Sequence, residues 1–204
     1  HSCAIQAVTG NFVCWGSGET SPPASLDGTT GTATAIAAAD RSSCAIQAGT
    51  GNVVCWGMRQ APPHELVNGT SGTATAIAAG YLHSCAIQAG TDNVVCWGDN
   101  TFNQAPPPVN LALGLGATSA IAAGDYHNCA IQAATGNVVC WGDNSADQTT
   151  EPNSVNGFSG TASAIAAGAA HSCAIQVGTG DVICWGDNTN LQAAPPDSVN
   201  GTSG

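Results

Sequence analysis

Five times along this chain two cysteines stand eleven residues apart inside nearly the same text: Cys3 and Cys14, Cys44 and Cys55, Cys85 and Cys96, Cys129 and Cys140, Cys173 and Cys184. The third copy reads His83-Ser84-Cys85-Ala86-Ile87-Gln88, then Ala89-Gly90-Thr91-Asp92, then Asn93-Val94-Val95-Cys96-Trp97-Gly98. Successive copies begin 41, 41, 44 and 44 residues apart, while the interval between cysteines never changes. A fixed interval inside the motif and a variable one between motifs separate a rigid unit from the tolerant loops that join it. The chain is therefore a tandem repeat, expected to form a single repeat domain over residues 1–204 with copies starting near 1, 42, 83, 127 and 171.

Within one copy, two β-rich runs flank a short glycine-containing loop, the pattern of a β-hairpin. Setting Cys85 opposite Cys96 places Ala86 across from Val95 and Ile87 across from Val94. Alternation then puts Cys85, Ile87, Val94 and Cys96 on one face and Ala86, Val95 and Trp97 on the other. Both faces are apolar, so the hairpin must be sandwiched between neighbours. Ten cysteines allow on the order of a thousand pairings, and the repeat register selects the one inside each hairpin: Cys3–Cys14, Cys44–Cys55, Cys85–Cys96, Cys129–Cys140 and Cys173–Cys184.

Ahead of four hairpins runs a segment of one isoleucine among small residues: 32–39, 73–80, 117–124 and 161–168. Short and apolar on both faces, it reads as a buried strand, and its small side chains suit the crowded centre of a radial assembly. The spacers that follow each tryptophan carry proline pairs such as Pro62-Pro63 and Pro195-Pro196, which cannot donate to a sheet ladder. They are expected on an outer edge or as extended connectors.

Charge narrows the function. Only Arg41 and Arg59 oppose 13 carboxylates, lysine is absent, and the formal net charge is -11. Such a surface repels phosphate backbones, which excludes nucleic acid as a partner. No run approaches the roughly 18 apolar residues of a membrane span. The paired cysteines imply an oxidising compartment, hence an extracellular or cell-surface address. The sequons at Asn68 and Asn200 are candidate glycosylation sites on that route. The chain opens mid-motif at His1 and closes on residues 201–204, the counterpart of 69–72, as a piece of a longer array would.

The string Gly80-x-x-His83-x-Cys85-Ala86-Ile87, continued by Val95-Cys96-Trp97-Gly98-Asp99-Asn100 and Gln104, resembles the RCC1-like repeat in its cysteine-containing variety, and the resemblance runs through all five copies. It implies a β-propeller with one blade per repeat and a role in binding other proteins rather than catalysis. The family's Gly-Gln-Leu-Gly after the tryptophan survives here only as its glutamine, at Gln60, Gln104, Gln148 and Gln192. The second copy has Ser42 for the usual histidine and Ala39 for the usual glycine. The name-giving member's chromatin role implies a basic surface, which this chain lacks.

Three recurring side-chain sets could carry chemistry, and each has a plainer reading. His83, Cys85 and Cys96 form a partial zinc set without a fourth ligand, and a disulfide beside a structural histidine accounts for them better. Asp99, Asp143 and Asp187 recur in Trp-Gly-Asp-Asn and could collect calcium, but Asp after Gly is first of all turn chemistry. Trp15, Trp56, Trp97, Trp141 and Trp185 could stack on sugars, yet tryptophan beside a strand cysteine more often wedges between repeats. No cofactor or metal is expected, nor an enzyme, because features present five times are architectural.

The expected fold is thus all-β, a propeller-like array of five disulfide-stapled hairpins, left open and completed by a neighbouring subunit. The expected function is a non-enzymatic building block of an extracellular filament or appendage that self-assembles with identical subunits, the missing first lead-in strand being added from a neighbour. The alternative is a secreted or cell-surface propeller that binds a protein or glycan partner through loop residues such as Phe102 or His64.

Overall fold

The structure is a computed structural model, and it describes residues 1–16, 21–40, 42–57, 61–112 and 117–201. Arg41, Met58, Arg59, Gln60, Ser17 and Thr202 lie outside the described residues. The first copy forms a two-stranded antiparallel sheet of β1 (Ser2–Ile5) and β2 (Phe12–Trp15). The other four form three-stranded antiparallel sheets: β3 (Ala33–Ala38), β4 (Ser42–Gln47) and β5 (Val53–Gly57); β6 (Ala74–Ala79), β7 (His83–Gln88) and β8 (Val94–Gly98); then β9 (Thr118–Ala123), β10 (His127–Gln132) and β11 (Val138–Gly142); β12 (Ala162–Ala167), β13 (His171–Gln176) and β14 (Val182–Gly186). In each, the lead-in strand pairs with the first hairpin strand, which lies in the middle of its sheet.

The hairpin register sets cysteine opposite cysteine in every copy, as in Cys85 with Cys96, Ala86 with Val95 and Ile87 with Val94. Disulfides join Cys3 to Cys14, Cys44 to Cys55, Cys85 to Cys96, Cys129 to Cys140 and Cys173 to Cys184, with Cα atoms 4.0 to 4.1 Å apart. The same alternation builds the core. The Cys44, Ile46 and Val53 face of the second sheet packs on Ala86, Val95, Trp97 and Ile77 of the third. Cys85 and Val94 of the third pack on Ala130, Trp141 and Ile121 of the fourth, and Cys129, Ile131 and Val138 of the fourth on Ala174, Trp185 and Ile165 of the fifth. Each inner hairpin is sandwiched by its neighbours, which is how a two-faced apolar sheet escapes water.

The lead-in strands β3, β6, β9 and β12 lie side by side, and the residues just after them, 38–40, 79–81, 123–125 and 167–169, converge on one cavity of about 290 Å³. That convergence makes the array radial. These strands are half-buried rather than buried, with Thr34, Thr75, Ser119 and Ser163 exposed, because the inner strand of each sheet is hydrogen-bonded along one edge only.

The spacers do more than connect. Each of four places an apolar residue at zero exposure under the sheets: Leu26, Val67, Leu111 and Val155. Val67 and Val155 also accept the amides of Val53 and Val138 through their carbonyls. The third spacer winds into a short helix, α1 (Val109–Ala112), around Leu111. The sequence signal was an apolar residue two before a glycine, in Leu26-Asp27-Gly28, Val67-Asn68-Gly69 and Val155-Asn156-Gly157. Proline-rich composition hid it.

Candidate functional site

Two sets of loops meet where the central cavity opens. One set joins the inner strand to the hairpin, at Gly80-Tyr81-Leu82 and Gly124-Asp125-Tyr126. The other follows each tryptophan, at 98–104 and 142–148. Backbone bonds tie them: the Asp99 amide donates to the Leu82 carbonyl (2.9 Å), the Asp143 amide to that of Tyr126 (2.9 Å), and the Tyr81 amide to that of Asp125 (3.1 Å) across copies.

A buried glutamine fixes the second set. Gln104 has zero exposure, donates from Nε2 to Asp99 Oδ2 (2.7 Å) and accepts the Phe102 amide at Oε1 (2.8 Å). Its carbonyl accepts from Asn128 Nδ2 (2.9 Å) and Trp141 Nε1 (3.0 Å) of the next copy. Gln148 repeats the arrangement with Asp143, Ala146 and Trp185. Gln104 and Gln148 are thus clasps that hold each of these two loops to its own turn and to the following copy. The recurring Asp residues serve the same turns. Asp99 accepts from Thr101 and Gln104, and the Thr101 bonds hold its carboxyl below the usual range.

The clasp brings Phe102, 41% exposed, against Tyr126, with ring centroids 5.0 Å apart. Tyr126 in turn lies 5.7 Å from Tyr81. Tyr81 and Asp125 line the central cavity. Burial, helped by Tyr81, Asp125 and Asp99, pushes the Tyr126 phenol above its ordinary value, so that ring is neutral at neutral pH. Sequence reading found Phe102 but neither tyrosine, because their meeting depends on loops from adjacent blades.

His64 lies elsewhere, in a groove of about 450 Å³ with Leu66, Pro106, Pro107 and Ala112. The structure does not bring it to Phe102. The tryptophans act as wedges: Trp97, Trp141 and Trp185 are 6%, 8% and 7% exposed between sheets, and Trp15 alone is open at 55%. The histidines join neighbouring copies. Nε2 of His83 bonds Asn128 Oδ1 (2.9 Å), and Nε2 of His127 bonds Ser172 Oγ (2.8 Å). With the cysteines joined pairwise, His83, Cys85 and Cys96 offer no thiolate, and no three His, Cys, Asp or Glu side chains among the described residues gather to hold a metal ion. Asn68 donates to the Pro63 carbonyl (3.3 Å) and Asn200 to that of Pro195 (3.2 Å).

Among known proteins, the regulator of chromosome condensation (RCC1) repeat matches residues 74–104, 119–148 and 162–192. The entire ectodomain of the Physcomitrella patens receptor kinase CR4 is similar at a TM-score of 0.73 and 26% identity, over 95% of this chain and 51% of that one. The CRINKLY WD40 ectodomain of the Arabidopsis thaliana receptor kinase ACR4 follows at 0.66 and 23%, over 91% and 62%. Prp20p of Saccharomyces cerevisiae, whose structure was described with its binding to Gsp1p and histones, shares the fold at 0.63 and 21%, over 87% and 49%. The chain thus spans about half the length of the first of these. No curated protein matches it. Among the described residues no helix is long and apolar enough to cross a membrane.

Proposed function

We propose that this RCC1-like repeat protein is a non-enzymatic, extracellular or cell-surface binding domain, residues 1–204 acting as one unit that engages a protein partner through the loops around Tyr126. The observation that carries this reading is the ring cluster of Tyr81, Phe102 and Tyr126 at the mouth of a disulfide-stapled array. Five internal disulfides fit an oxidising compartment. Likeness to two receptor ectodomains supports an outward-facing role. The binding of Prp20p, which shares the fold, to Gsp1p and histones adds precedent for a protein rather than a small-molecule partner. The test is a display screen of the labelled chain against extracellular proteins, run beside Phe102→Ala and His64→Ala. Binders lost in Phe102→Ala and kept in His64→Ala support the loop face; the reverse pattern moves the site to the groove.

A second reading, the building block of an extracellular assembly, is favoured by the outward faces of the first and last sheets. Val13 and Trp15 are 43% and 55% exposed where their counterparts Val95 and Trp97 are 8% and 6%, and Ile175 is 40% exposed where Ile87 is 2%. Docking of one such face on the other would repeat the packing between internal copies. Sedimentation at rising concentration tests it: a mass that stays at one chain removes this reading and leaves the binding domain intact.

A further inference from the structure

The repeat supplies its own control for what is architectural. Cysteines, tryptophans, the Gln104 clasp and the histidine bonds recur from copy to copy. The ring cluster does not. At the position of Tyr81 the other copies have Asp40, Asp125 and Ala169, at that of Tyr126 they have Arg41, Leu82 and Ala170, and at that of Phe102 they have Ala146 and Asn190. Scaffold needs are met there by alanine. Both tyrosines of the chain and one of its three phenylalanines are spent on one junction, between the third and fourth copies.

The surroundings of those rings are as distinctive. Asp125 lines the cavity beside Tyr81, and Asp99 stands in the turn that presents Phe102. Asp40 lies across the same cavity. Asp125 directly precedes Tyr126, and the Asp99 amide donates to the Leu82 carbonyl next to Tyr81, so both carboxylates belong to the loops that carry the rings. The chain carries no lysine and only two arginines against 13 carboxylates. Aromatic faces attract cations through the ring quadrupole at about 6 Å or less, an effect strengthened where carboxylates stand close and water is partly excluded.

From this juxtaposition, and resting on the loop-face reading above, we propose that the partner is recognised through a cationic side chain, arginine or lysine, laid over the Tyr81–Tyr126–Phe102 rings and paired with Asp125 and Asp99. A planar guanidinium suits such a face, because it stacks on a ring while its edge donates to carboxylates. A net charge of -11 then steers the basic partner toward the mouth from a distance, at a rate that falls with salt.

The two tyrosines make the proposal directly testable, since a tyrosine-selective isotope label reports on nothing but the site. The probe is a short capped peptide, acetyl-Gly-Arg-Gly-amide, titrated against the labelled chain and compared with the same peptide carrying neutral citrulline. The expected result is saturable movement of both tyrosine signals with arginine, at least fivefold weaker binding with citrulline, and a similar loss in Asp125→Asn and Phe102→Ala. Unchanged circular dichroism and unchanged non-reducing mobility keep those variants interpretable, and Phe102→Leu serves if the alanine variant does not fold. Signals that stay still with arginine, or that move equally with citrulline, overturn the cationic reading. Loss of protein binders in Phe102→Ala without any arginine response would overturn this inference and leave the loop-face function standing, whereas binders unaffected by Phe102→Ala would overturn the loop face itself.

Discussion

Gly168 and His171 occupy each other's space: a Cβ built on Gly168 would overlap Cε1 of the His171 imidazole and lie 2.6 Å from Nδ1 and 2.9 Å from Nε2. The same holds for Gly80 with His83 and Gly124 with His127. The glycine is present because the ring leans on its α-carbon, and the second copy, which has Ser42 for the histidine, accordingly has Ala39 for the glycine. Two departures from the family pattern are thus one steric fact.

This coupling predicts that Gly168→Ala alone destabilises the protein by about 1–3 kcal/mol through overpacking. The pair Gly168→Ala with His171→Ser should recover most of that loss, since it copies the second repeat. Urea unfolding of the two single variants and the double variant checks it, with additive effects counting against the steric account.

His127 gives the protein an acid limit. Burial, with the His83 imidazole second, lowers it from its ordinary 6.5 to about 4. The folded state therefore binds fewer protons than the unfolded one between those values. Its contribution is fully present above pH 6.5 and is lost as pH falls toward 4, by about 3 kcal/mol in all. His83 is shifted the same way by burial. Urea midpoints at pH 7.5 and 4.5 should fall with acid, and the variant His127→Ser with Gly124→Ala should show a distinctly flatter dependence.

Gln104 is predicted to be the most costly polar residue of the loop face. Gln104→Ala strands the Phe102 amide and removes a bond to Asp99, a loss of about 1–3 kcal/mol for buried polar groups left unpaired. Phe102 loses its fixed position with it, so partner binding should weaken even where the fold persists. Thermal unfolding and the display assay together separate the two effects.

Each disulfide closes a loop between cysteines eleven residues apart, which in the chain-entropy account is worth about 3 kcal/mol. Peptide mapping under non-reducing conditions should recover five links, each within one copy. Removing the Cys85–Cys96 link by paired alanine substitution should lower the unfolding temperature by several degrees. Links found between copies would overturn the pairing.

Asn68 and Asn156 hold the same geometry, each bonding a carbonyl five residues back and accepting an amide two residues on, but only Asn68 lies in a sequon. Passage through a glycosylating secretory route should add a glycan at Asn68, and at Asn200, with Asn156 unmodified. Mass measurement before and after enzymatic deglycosylation decides it.

The hairpins, their register and the partner of each cysteine were legible because they are local: period-two alternation and an invariant spacing encode them within sixteen residues. The wedge role of the tryptophans was legible for the same reason. What stayed hidden is non-local. Leu26, Val67, Leu111 and Val155 sit in proline- and serine-rich text that reads as connector, and only the curvature of the array brings them under the sheets. Tyr81 and Tyr126 occupy the least repetitive positions of their copies, so periodicity is blind to them. Their meeting with Phe102 follows from the angle between adjacent blades, which no single copy specifies.

Since the apolar faces of the hairpins pack on the adjacent sheets, cooperativity in this chain is chiefly nearest-neighbour in kind. Amide hydrogens of β7 and β10, central strands in sheets packed on both faces, should exchange with solvent most slowly, and those of β1 and β14 sooner. The junction that carries the three rings lies between β7 and β10, so its loops are anchored on the strands expected to open last.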